Sequence, residues 1–296
     1  MRQVILIFGF MLMSINANAI PDVGSREYKL MLNPALFEGA DPSAAVTAYW
    51  NELKPLIENA PINRDTRGAF SLDKLRTVKF YDSPNTCTLK SKGYIFRERI
   101  ENGKREVTLK YRADDRFIAG HKNMQGKASR DPETKFEEDI SVSSNSNSNS
   151  NSDFTSKYSY STTQSIGDGK NLNKMDDPIG LYSGLEAYGF DPDEPISLVS
   201  DLVVTEKVYK GTSVDLGNLD ATFALTLWYD SDTSIVPMVA EISFKYKDEN
   251  EGYSENVVTR ALQVFKAMQT MTNWTSTDSL TKTAFVFNYA TPNFCQ

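Results

Sequence analysis

The stretch FYDSPNTCTLKSKGYIFRERIENGKREVTLKYR, residues 80–112, decides the fold. Within it, Asn102-Gly103 supplies the two residues of positive φ that a tight hairpin turn requires. A turn there sets Glu101 opposite Lys104 and Arg99 opposite Glu106, and the two-residue period of a strand then sorts the side chains. One face carries Tyr94, Phe96, Ile100, Val107, Leu109 and Tyr111. The other carries Arg97, Arg99, Glu106, Thr108, Lys110 and Arg112, so two strands gather cations on one surface.

The same alternation recurs along the chain. Residues 26–32 place Tyr28, Leu30 and Leu32 against Glu27 and Lys29; residues 238–247 place Met238, Ala240, Ile242, Phe244 and Tyr246 against Glu241, Ser243, Lys245 and Lys247. Residues 135–140 put Lys135, Glu137 and Asp139 together, residues 203–209 include Lys207, and 221–230 align Phe223, Leu225, Leu227 and Tyr229. Two segments have helical spacing instead. Asp41-Pro42 caps the stripe Val46, Tyr49, Trp50, Leu53 and Ile57, with Pro55 expected to shorten or kink its end; Ser254 caps Val257, Val258, Ala261, Leu262, Phe265 and Met268. Many antiparallel strands with few helices predict an α+β protein built on a closed antiparallel β-barrel with flanking helices. Periodicity does not separate two arrangements of the charged faces, which either meet outer solvent or line a central tunnel.

Composition narrows the function. The chain has 296 residues, 40% apolar and 24% charged, enough for one large core. A net charge of -7 and a pI near 5.0 argue against a general nucleic-acid binder. The hairpin aromatics also occupy the face opposite its cations, where bases could not stack beside a bound backbone. His121 is the only histidine, which argues against a Ser-His-Asp centre or a multi-histidine metal site.

Residues 1–19 have the parts of a secretory signal: Arg2, an apolar run over 4–13, and Ala17-Asn18-Ala19 before a cut after Ala19. The expected mature protein, 20–296, is periplasmic or secreted, forms one domain and has no membrane partner. A Ser/Asn-rich insertion is expected over about 141–175, centred on the low-complexity run 143–153. Export makes a disulfide between Cys87 and Cys295 available, and two unpaired thiols are the alternative.

Phe80-Tyr81-Asp82-Ser83-Pro84, then Leu89-Lys90, Phe96-Arg97-Glu98-Arg99 and Thr108-Leu109-Lys110 stand in an order that resembles the CYTH or triphosphate tunnel metalloenzyme superfamily. They are similar to its YFDTP, L-K, hydrophobic-R-x-R and TLK runs. Ser25-Arg26-Glu27-Tyr28-Lys29 is similar to the opening E-x-E-x-K motif, Lys135 to Asp139 to R-x-E-x-E, and Glu241-Ile242-Ser243 to the late E-x-E.

The resemblance implies a tunnel that binds a triphosphate, another phosphorylated small molecule or polyphosphate, and that hydrolyses it with Mg²⁺ or Mn²⁺. It assigns phosphate contacts to Lys29, Arg97, Arg99, Lys110 and Lys207, with Arg112 at the rim. Metal ligation falls to Glu27, Glu137, Asp139 and Glu241, and catalysis to Lys110 and Glu137. Cations would clamp the charged chain while the metal polarises oxygens or activates water. Ser25 and Ser243 stand where the family pattern has glutamates, Lys135 where it has arginine, and Tyr209 where a basic residue is common. The losses favour, as the alternative, a polyanion-binding or interaction module without turnover.

Overall fold

The structure, a computed structural model, describes residues 20–142, 154–276, 280–290 and 294–295. The signal segment 1–19 and the Ser/Asn run 143–153 lie outside the described residues. Ten strands form one sheet: β1 (Ser25–Leu32), β2 (Thr66–Asp82), β3 (Tyr94–Glu101), β4 (Lys104–Ala113), β5 (Glu133–Val142), β6 (Phe154–Ile166), β7 (Ser197–Leu198), β8 (Val204–Asp215), β9 (Asp220–Tyr229) and β10 (Val239–Lys247). The α-helices are α1 (Ser43–Glu58), α2 (Thr88–Ser91), α3 (Arg116–Gly120), α4 (Asp176–Leu181), α5 (Glu255–Thr270) and α6 (Lys282–Phe287).

The sheet runs β3-β4-β6-β5-β1-β10-β9-β8-β2, and β2 pairs back onto β3, so its hydrogen bonds close into a ring. Short β7 joins β2 alone. Closure satisfies the strand edges that an open sheet would leave unpaired. The predicted fold class holds, with one correction to its antiparallel character: β1 lies parallel to β5, with Ser25 beside Glu137 and Lys29 beside Ser141. Ten strands less β7 leave nine in the ring, and strand direction cannot alternate all the way round an odd ring. One parallel pair is therefore required.

The hairpin forms in the register its turn dictates. Asn102 and Gly103 adopt φ of 50° and 76°, and Glu101 faces Lys104 while Arg99 faces Glu106. The aromatic face of β3 and β4 packs outward, where Tyr94, Phe96, Val107 and Leu109 meet Tyr182 and Leu185. The Tyr182 hydroxyl donates to the Val107 carbonyl at 2.9 Å. On the far side of the ring, Tyr28, Leu30, Leu225, Leu227 and Phe244 lie under α1 and α5. The Phe265 ring of α5 is 5.2 Å from that of Tyr28.

Both long helices follow their apolar stripes. Ser254 Oγ accepts from the Val257 N–H at 3.4 Å, and Asp41 Oδ1 accepts from the Ser43 N–H at 2.9 Å. Pro42 itself takes the cap position of α1, and Pro55 does not end the helix, which runs on to Glu58. In the last turn a proline removes one N–H and leaves the rest of the ladder intact. Val46, Tyr49, Trp50, Leu53 and Ile57 are all buried; at about 2 kcal/mol each, α1 contributes about 10 kcal/mol of gross hydrophobic stabilisation before entropy.

The insertion expected over about 141–175 is shorter than its composition suggests. Phe154–Ile166 is β6, held between β4 and β5 with Ser161 beside both Lys110 and Lys135. Tyr158 and Tyr160 pack with the outer aromatic cluster, so the alternating Ser and Thr side chains turn into the ring. A strand whose inner face meets a polar interior has the composition of a loop.

Cys87 and Cys295 form a disulfide, their Cα atoms 5.5 Å apart. It ties the C-terminal end of the chain to the turn between β2 and α2 across a sequence separation of 208. Phe294 supports the tie by accepting a hydrogen bond at its carbonyl from the Asn85 N–H at 3.0 Å.

Candidate functional site

Because the apolar faces of the ring pack outward, the charged faces of β1, β3, β4, β5 and β10 turn into its interior. Asp139 is the centre of one wall. It is 6% exposed, and its Oδ1 accepts from Lys29 Nζ at 2.7 Å. Its Oδ2 accepts from Lys110 Nζ at 3.0 Å, Arg112 Nη2 at 2.5 Å and Ser159 Oγ at 3.0 Å. Burial alone would raise the Asp139 carboxyl, but Lys110, Lys29 and Arg112 outweigh it and hold it well below the usual carboxylate range. Lys29 also reaches Glu27 Oε2 at 3.0 Å. Burial lowers the Lys29 ammonium, yet Asp139 and Glu27 together keep it above its ordinary value. Lys110 is different: burial, helped by Arg112 and Lys29 and opposed by Asp139, brings it down to about 8.

Arg97 and Arg99 share this inward face on the neighbouring strand β3 and have far poorer partners. Arg97 donates only a long hydrogen bond, 3.5 Å from Nη2 to Thr108 Oγ1, and its buried Nε has no partner. Arg99 Nε is 3.7 Å from Glu206 Oε1 and makes no hydrogen bond. Burial and the adjacent Arg99 charge push the Arg97 guanidinium well below its ordinary value. Arginine stays charged regardless, so the shift is a sign of an unsatisfied cation.

The acid on this side, Glu206, was not among the residues picked from the sequence. It is 1% exposed, pairs with Arg76 and accepts from Trp228 Nε1 at 2.9 Å. Burial raises its carboxyl, but Arg99, Arg76 and Lys282 more than offset that and hold it far below its usual range. Its neighbour Lys207, expected to contact phosphate, is on the wrong face. Lys207 is in register with Leu227 of the outer core, and its Nζ lies over the Tyr229 ring, 4.8 Å from the centroid. Tyr209, two residues on, is buried in that same core and fixes the strand's parity.

The remaining predicted residues are inside but occupied. Glu137 Oε1 accepts from Ser25 Oγ at 2.7 Å, so the serine in the first glutamate position serves as a donor. Glu241, 5% exposed, binds Lys282 Nζ of α6 at 2.7 Å, and that ammonium is 5.5 Å from the Trp228 ring centroid. Asp82 of the first motif acts locally: it accepts the N–H groups of Ser83, Leu89 and Lys90 at 2.8, 2.9 and 2.9 Å and so shapes the turn into α2.

The interior is not polar throughout. Val78, Phe80, Val204, Trp228 and Val239 turn inward and pack with Val286 and Phe287 of α6. This apolar plug fills the end where β2 and β9 finish. At the other end, where the β3–β4 turn lies, a cavity of about 410 Å³ is lined by Lys104, Arg105, Glu106, Ser165 and neighbours. A beside-lying hollow shares Glu106 and Ser165 and adds Asp131 and Glu133.

The residues do not fit a divalent metal as they are arranged. Mg²⁺ and Mn²⁺ require several oxygens converging at short range. No group of three or more His, Cys, Asp or Glu side chains among the described residues could hold one. Asp139 accepts four donors, which fills the sites of a carboxylate. Glu27 and Glu241 each hold a lysine.

No protein-family model matches the sequence, and no curated protein matches it. Solved structures do match. An adenylyl cyclase candidate of Hippeastrum with a dominant triphosphatase activity is 12% identical, with 90% of this chain and 96% of that one covered and a TM-score of 0.43. An adenylate cyclase candidate of Bacillus halodurans is 11% identical over 89% and 99% of the two chains, with a TM-score of 0.39. A protein of Pyrococcus horikoshii is 12% identical over 90% and 99%, with a TM-score of 0.35.

Proposed function

We propose that the ring is a receptor for a triphosphate or a comparable linear polyphosphate, in a protein exported to the periplasm or beyond the cell. One observation carries this reading: the Arg97 guanidinium faces the interior, its buried Nε has no hydrogen-bond partner, and among the described residues no carboxylate forms an ion pair with it, Glu206 acting on it only at longer range. A buried cation without a partner costs several kcal/mol, and an anionic ligand relieves that cost. Arg99, half-served by Glu206, extends the same surface. A polyanion also suits an acidic chain that nonetheless gathers Lys29, Arg97, Arg99, Lys110 and Arg112 on inward faces of its ring. Export is supported by the signal-like segment 1–19 and by the Cys87–Cys295 disulfide.

Titration calorimetry with tripolyphosphate tests the receptor. Binding should be strong at low salt and weaken as salt rises. Arg97→Gln should cost about 10- to 100-fold in affinity, the worth of one or two charge-assisted hydrogen bonds. Absence of binding at low salt by folded protein removes the reading. Hydrolysis with Mg²⁺ or Mn²⁺ is the further step implied by the motif resemblance. It would require Glu27, Glu137, Asp139 and Glu241 to exchange their present partners for a metal, and release of phosphate from tripolyphosphate would detect it.

A further inference from the structure

Two lysines neutralise interior carboxylates, one by bridging a pair of them and the other by capping a third. Lys29 Nζ bridges Glu27 Oε2 at 3.0 Å and Asp139 Oδ1 at 2.7 Å. Lys282 Nζ sits on Glu241 Oε1 at 2.7 Å, brought there by α6. Both are largely shielded, each ammonium-bearing side chain being less than a quarter exposed. The two serines that stand at glutamate positions of the motifs share this inward face. Ser243 pairs with Lys29 in the β1–β10 register, and Ser25 precedes Glu27 on the same inward face.

Loss of carboxylates and the pairing of remaining ones with ammonium groups work in the same direction. Fewer oxygens are available to a metal, and Glu27, Asp139 and Glu241 are already paired with lysines. A bound polyphosphate still needs positive charge around it, and side-chain cations can supply this without a metal bridging to the ligand.

We infer that Lys282, together with the motif lysine Lys29, neutralises the interior carboxylates in place of a divalent cation, so that the ring holds a polyphosphate in the absence of metal. The inference rests on the receptor reading above and adds to it the identity of the counter-cations. Lys282 is the more informative of the two. It belongs to a short helix near the C-terminal end of the described chain, and Val286 and Phe287 of that helix are buried in the interior plug. The cation is therefore delivered by a separate packed element and not by the wall strands.

Calorimetry of the mature protein with tripolyphosphate in EDTA, and again with the Mn²⁺ complex of tripolyphosphate, separates the possibilities. The expected result is binding in EDTA that is weaker for the Mn²⁺ complex, because the metal lowers the charge of the ligand. Binding that appears only with Mn²⁺ overturns the inference while leaving the receptor intact. Binding under neither condition overturns both. Electron paramagnetic resonance of Mn²⁺ added to the protein alone should show the free aquo ion undiminished; stoichiometric loss of that signal would also overturn the inference.

Lys282→Gln provides an independent reading. It should leave Glu241 facing the ligand uncompensated and lower affinity in EDTA by about tenfold, equivalent to about 1.4 kcal/mol. Mn²⁺ should partly restore that loss in the variant and not improve the native protein. A folded variant with native affinity and no response to Mn²⁺ removes Lys282 from the assignment.

Discussion

Asp139 and Arg97 face the same interior and present opposite problems. The carboxylate has more partners than one charge needs, receiving Lys29, Lys110, Arg112 and Ser159. The guanidinium has nearly none. The first is an internal account in which the protein supplies both signs of charge, and it fixes the wall. The second is incomplete without something from outside. The inward cations are thus of two kinds, satisfied ones that build the scaffold and ones left short of partners. Counting cations on a face does not distinguish them.

Asp139→Asn should give the largest effect, because it removes the acid that three cations share. Breaking a buried network this way costs about 3–5 kcal/mol, and Tm should fall by about 10 °C in a thermal melt. Added tripolyphosphate should recover part of the loss, by giving those cations a new anion. A variant that melts like the native protein breaks the contrast between the two regions.

The response to pH sharpens it at intermediate size. Lys110 is held at about 8, below its ordinary 10.5, so between these values the unfolded chain binds a proton that the folded chain releases. Stability should therefore rise with pH across that window relative to Lys110→Met, whereas below pH 8 the full cost of the charged lysine is present. Affinity for tripolyphosphate should move the other way, declining above pH 8 as the ammonium is lost. Denaturant midpoints and calorimetry at a few pH values check both; a difference between native and variant that stays flat with pH contradicts the placement of Lys110. The smallest effect belongs to Lys207→Ala. With its side chain outside the ring, its loss should cost about 0.5–1 kcal/mol of stability from the Tyr229 contact and leave affinity unchanged, and a large fall in affinity would reverse the face assignment.

These contrasts track what could be read in the sequence. The hairpin was legible because a turn signal and a two-residue alternation agree, so Arg97, Arg99 and Lys110 are placed together before any coordinates exist. In β8 the two faces read Glu206, Val208 and Lys207, Tyr209. Each pairs one charged with one apolar residue, and periodicity has nothing to choose between. Only the packing of Tyr209 under the outer core settles that Glu206 is inside. β6 was hidden for a related reason, since its serines and threonines suit both a polar interior and open solvent. The insertion of α6 could not be foreseen from six residues, because the partner of Lys282 is a glutamate on β10 and their meeting depends on tertiary packing.

The parallel seam between β1 and β5 has a consequence in time. Ser25 pairs with Glu137, 112 residues later by subtraction, and with Lys247, 222 residues later. The first strand synthesised therefore has no neighbour until much of the chain exists, and the ring cannot shut before β10 is made. Doubling the loop length adds only about 0.6 kcal/mol of closure entropy. The larger burden is kinetic: non-local pairing slows folding, and the edge of β1 that pairs with β10 stays open until β10 exists. The first strand in chain order takes the last strand as a neighbour, so the ring closes between the two ends of the sheet-forming sequence.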